Sequence, residues 1–85
     1  MTAAPRVVVS DARRTDELDR YLARVVADPE SEEARVDFLG AATRIYDGLT
    51  PEQKERVEVA YRPARRRGGL EELRKLRDAL RGLEP

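Results

Sequence analysis

Three short breaks cut this chain into helix-sized pieces and leave almost no linker between them: Asp28-Pro29, the run Asp47-Gly48-Leu49-Thr50-Pro51, and Gly68-Gly69. Between the breaks, apolar residues recur at helical spacing. Leu18, Tyr21, Leu22, Val25 and Val26 fall at i, i+3, i+4, i+7 and i+8, one face of a 3.6-residue period. The next piece carries two stripes, Ala34, Phe38, Ala41, Ala42, Ile45 and Leu49, and Val36, Leu39 and Tyr46. An apolar face that wide predicts more than one packing neighbour. The third piece has Val57, Ala60 and Tyr61 on one side, and the fourth repeats Leu73, Leu76, Leu80 and Leu83, with Leu70 just ahead.

End signals agree with these pieces. Ser10 or Thr15 offers a first hydroxyl cap, and Asp28 with Pro29 predicts both a stop and a new start. Gly48 is expected to take the left-handed conformation, with Leu49 folding back on the last turn. Thr50-Pro51-Glu52-Gln53 reads as a capping box, and Pro63 is expected to end or kink the third helix. The pattern predicts helices over 11–27, 30–47, 51–62 and 70–82. Short connections make neighbours antiparallel. The expected fold is all-α: a small antiparallel bundle of four helices over residues 11–85, with an extended or disordered arm over residues 1–10. Val7-Val8-Val9 reads as part of that arm, laid over the core.

Composition limits the chemistry. The chain has 85 residues with no Cys and no His. Disulfides, Cys/His zinc sites and imidazole-activated nucleophiles are therefore excluded. No apolar run approaches the ~18 residues of a membrane span, and Val7–Val9 is too short for a signal-peptide core. A cytoplasmic setting, no membrane association and no cofactor are expected.

One carboxylate pattern bears on metal binding. Glu30-x-x-Glu33 and Glu52-x-x-Glu55 have a spacing that resembles the paired motifs of all-α nucleoside triphosphate pyrophosphohydrolases of the MazG type. That resemblance implies magnesium held by carboxylates. Here, however, both pairs open consecutive antiparallel helices, which puts about 20 residues at ~1.5 Å each, or ~30 Å, between them. Acidic residues at helix starts account for both pairs, so no metal site and no catalytic residue are expected.

Charge is balanced in sum and polarised in place. Residues 1–61 hold 9 basic and 13 acidic residues (9 − 13 = −4), and residues 62–85 hold 8 and 4 (8 − 4 = +4). The positive excess centres on Arg62, Arg65, Arg66 and Arg67, before Gly68-Gly69. Arginines at a helix C-terminus complement its dipole, and glycine caps it. In an up-down bundle this end meets the start of the second helix. Arg65, Arg66 and Arg67 are thus expected to face Asp28, Glu30, Glu32 and Glu33, within the chain or across a contact between copies. The stretch lacks interleaved aromatics for base stacking and matches no phosphate-loop pattern, which disfavours nucleic acid.

The function these features predict is that of a non-enzymatic protein–protein interaction module, an adaptor, accessory or regulatory subunit. Its candidate partner-binding residues are Arg62, Arg65, Arg66 and Arg67, together with Val36 and Val59, which fall off the main stripes of their helices. Leu73, Leu76, Leu80 and Leu83 are expected to be core, and a homo-oligomer through them is a further partner expectation. The alternative is a small nucleic-acid-binding regulator using the Arg62–Arg67 cluster; the third is the carboxylate-metal nucleotide hydrolase.

Overall fold

The computed structural model describes residues 15–83. Ser10, Val7–Val9 and the expected first-helix start at residue 11 lie outside them. The described residues form four α-helices and no strand: α1 (Asp16–Ala27), α2 (Glu32–Asp47), α3 (Pro51–Arg67) and α4 (Leu70–Arg81). The all-α, four-helix expectation is met.

Three helix ends differ from expectation. The start of α2 is capped by Ser31, whose Oγ accepts from the Ala34 amide at 3.2 Å, and not by Asp28. Asp28 closes α1 instead, its amide donating to the Arg24 carbonyl at 3.0 Å. Gly48 is right-handed (φ −87°), so α2 ends by tightening: the Gly48 amide donates to the Ile45 carbonyl and the Leu49 amide to that of Tyr46.

The third difference is larger, because α3 runs straight past Pro63 to Arg67. Pro63 has no N–H to donate to the Val59 carbonyl. Val59 is 83% exposed, so this turn lies on the solvent side, where a carbonyl without its helical donor costs little. One residue on, Ala64 is fully buried, and its packing holds the extra turn. The stop comes at Gly68, in the left-handed region (φ 68°). At the other end of α3, Thr50 and Gln53 form both bonds of the capping box.

α4 packs against each of the other three helices. α1 and α2 lie side by side, α4 sits against both, and α3 rests mainly on α4. Leu73, Leu76 and Leu80 are buried among Leu18, Leu22, Val25, Phe38 and Val57. As expected of a core seam, Leu73, Leu76 and Leu80 belong to the chain's own core, with Leu83 partly buried against it. Helix 2 does meet several neighbours: Ala34, Phe38, Ala41 and Ala42 are buried, and Leu39 and Tyr46 flank them.

A polar clasp closes the open ends of α1 and α4. Asp19 accepts from Arg77 Nη1 and from Arg81 Nη2, both at 2.6 Å. Arg81 also donates to the Thr15 hydroxyl and carbonyl, at 3.3 and 3.4 Å. Burial raises the Asp19 pKa, but the two guanidinium hydrogen bonds outweigh it and hold the carboxyl below its ordinary value near 3.8.

Two predictions follow from this packing. Phe38→Ala and Leu76→Ala should each destabilise by roughly 2–5 kcal/mol through lost burial and a residual cavity. Urea unfolding checks this, and a loss under about 1 kcal/mol would place either side chain at the surface. A carboxyl whose pKa is lower when folded stabilises above its unfolded pKa, and that stability is lost as pH falls through the folded value. Wild type should therefore exceed Asp19→Asn in thermal stability at pH ~6, with the gap closing toward pH ~3. The pairs are partly exposed, so the gap should be about 1 kcal/mol or less. An equal gap at both pH values would contradict the clasp.

Candidate functional site

The site begins with the two faces of α3. Val57, Tyr61 and Ala64 point to the core, and Val59, Arg62, Pro63 and Arg66 recur at i, i+3, i+4 and i+7 on the opposite side. Because α3 continues through Pro63, these four residues share one helical face. They line a shallow groove of about 410 Å³, with Glu58 and Arg67 at its edges. A second hollow beside it is lined by Tyr61, Arg62, Arg65 and Arg66.

Its lining mixes apolar Val59 and Pro63 with cationic Arg62, Arg66 and Arg67 and the acidic Glu58. Val59 is the most exposed large apolar side chain among the described residues. Arg62 Nε donates to Glu58 at 2.9 Å along the helix, and Arg67 stands 4.0 Å from Glu72. Arg66 has no ion pair among the described residues. Such exposed pairs contribute about 0–1 kcal/mol and yield easily to a competing carboxylate.

Arg65 turns the other way. Its Nη1 donates to the Tyr61 hydroxyl at 3.0 Å, and the Thr43 hydroxyl lies 3.2 Å from the same oxygen. The Tyr61 ring stacks on Tyr46 with centroids 3.9 Å apart and planes 4° from parallel. Lys54 lies over the outer side of this pair, 5.5 Å from the Tyr46 centroid. Burial, with the Glu58 carboxylate adding to it, pushes the Tyr46 phenol above its usual value near 10, so it stays neutral. The stack joins α2 to α3, and the Tyr61 hydroxyl is tied on both sides.

The expected pairing of Arg65, Arg66 and Arg67 with Asp28, Glu30, Glu32 and Glu33 does not form within the chain. The two ends do meet: Arg35 Cδ lies 3.6 Å from where a Cβ on Gly68 would stand. Arg35 occupies that junction itself, donating to the Pro29 carbonyl at 2.8 Å and to Glu32 at 3.3 Å. Both clusters are left facing outward. Val36 is exposed as expected, at 57%, but it lies on α2 and does not line the groove.

Sequence reasoning placed Arg62, Arg66, Arg67 and Val59 among the partner-binding residues but missed Pro63 as part of the same face. The signal was present: only a helix continuing past Pro63 aligns Val59 with Arg66. Glu33 lies near the start of α2 and Glu52 near the start of α3. Among the described residues, no group of three or more acidic, His or Cys side chains is placed to hold a metal ion. No protein family, no curated protein and no solved structure matches this chain.

Proposed function

We propose that the chain is a non-enzymatic helical interaction module of the cytoplasm, an adaptor or accessory subunit, and that it binds an acidic segment of protein on the outer face of α3. The observation that carries this reading is Val59, 83% exposed on a face of α3 that it shares with Arg62, Arg66 and Arg67. An apolar side chain resting on Val59 and Pro63 would desolvate both. Carboxylates one helical turn apart would meet Arg62 and Arg66, which are themselves spaced i, i+4.

Nucleic acid is the second reading, since the same arginines could neutralise phosphates. The groove suits it less well. Glu58 stands at the edge, and Tyr61, the nearest ring, is buried against Tyr46 and offers no face for a base.

Fluorescence anisotropy separates the two readings. The probes are a synthetic amphipathic helix with glutamates flanking a leucine and a single-stranded oligonucleotide of equal charge. The peptide should bind, and Arg62→Glu with Arg66→Glu should weaken it about tenfold or more. Oligonucleotide binding that falls as a steep power of salt, with no peptide binding, would overturn the proposal.

A further inference from the structure

We infer that the acidic segment taken up by the α3 groove is the first turns of α2 from a second copy of this chain; the inference rests on the reading of the groove given above. The α2 surface mirrors the groove. Glu32, Glu33 and Val36 are all exposed and stand at i, i+1 and i+4, on the outer side of the helix away from Ala34 and Phe38. Val36 is, after Val59, the most exposed large apolar side chain among the described residues. One face thus offers two glutamates one turn before a valine, and the other a valine followed by arginines, an order that matches when the two helices run antiparallel.

Within the chain these charges pair only with near neighbours in sequence, Glu32 with Arg35, Arg62 with Glu58 and Arg67 with Glu72, and not with one another. No ion pair joins Asp28, Glu30 or Glu33 to Arg62, Arg66 or Arg67 among the described residues, although the Arg35–Gly68 approach puts the two clusters at the same end of the bundle. That shared end matters for symmetry. In a two-fold pairing, a patch meets its own copy reversed, so each acidic face lies against the other's basic face and the contact forms twice. Placing Glu32 and Glu33 against the arginines of the other copy, and not against its glutamates, favours that orientation. Two small valine contacts ringed by charge make a weak, salt-sensitive dimer.

The test is sedimentation equilibrium on the full chain and on two charge-swapped variants, one with Arg62→Glu and Arg66→Glu, the other with Glu32→Arg and Glu33→Arg. Wild type should shift from monomer toward dimer with rising concentration, and added salt should reverse it, since screening acts over roughly 8–10 Å at physiological ionic strength. Each variant alone should be monomeric, with helical circular dichroism retained. An equimolar mixture should recover a mixed dimer, which misfolded variants could not do. A wild type that stays monomeric at millimolar concentration, or a mixture that fails to re-pair, overturns the inference. If the chain stays monomeric while the synthetic acidic helix still binds through Arg62 and Arg66, the second copy is the wrong occupant and the interaction module stands. If neither binds, both fall.

Discussion

The leucine seam of α4 is the contact on which the rest of this structure depends. Leu73, Leu76 and Leu80 are buried, and α4, which like α2 touches all three other helices, is the main support of α3. A chain of this size buries only about 60–65% of the surface its unfolded form exposes, so its core is thin. With one phenylalanine and no tryptophan, that core is largely aliphatic. The arrangement around α4 also decides what stays outside. Because α3 rests on α4 and meets α2 chiefly through the Tyr46–Tyr61 stack, none of the other three helices covers its far side, and Val59 is exposed.

The clasp at Asp19 does a different job from the seam. Hydrophobic burial is non-directional and would tolerate a slide of α4 along α1. Two guanidinium groups on one carboxylate, with Arg81 also reaching Thr15, fix the register of the two helices. The stability such exposed pairs add is small, and their geometric effect is the larger one.

Much of the fold was legible in local patterns because those patterns act locally. The Thr50–Gln53 box, the 3, 4, 3 spacing of the leucines and the glycine after Arg67 each concern residues within a turn or two. Pro63 misled because a local rule met a tertiary demand: burying Ala64 outweighs one lost hydrogen bond whose acceptor faces water. Arg77 and Arg81 meeting Asp19 was not legible, since 58 and 62 residues separate the partners and nothing in the spacing selects them. The candidate site was half legible. The arginine cluster stood out, but its expected carboxylate partners were a guess from topology. The topology was right, and Arg35 at the junction made the pairing wrong.

Opposite charges at one end of a bundle normally cancel within it. Here they remain apart, because α2 and α3 are held by an aromatic stack and a single interposed arginine, and their charged faces point outward. That separation follows from α3 being hung on α4. Native-state hydrogen exchange tests the seam most directly. Amides of α4 from Leu73 to Leu80 should exchange most slowly in the chain, through global unfolding alone. Fast exchange in α4 while α1 and α2 stay protected would contradict the account, since it would show that the other helices hold together without it.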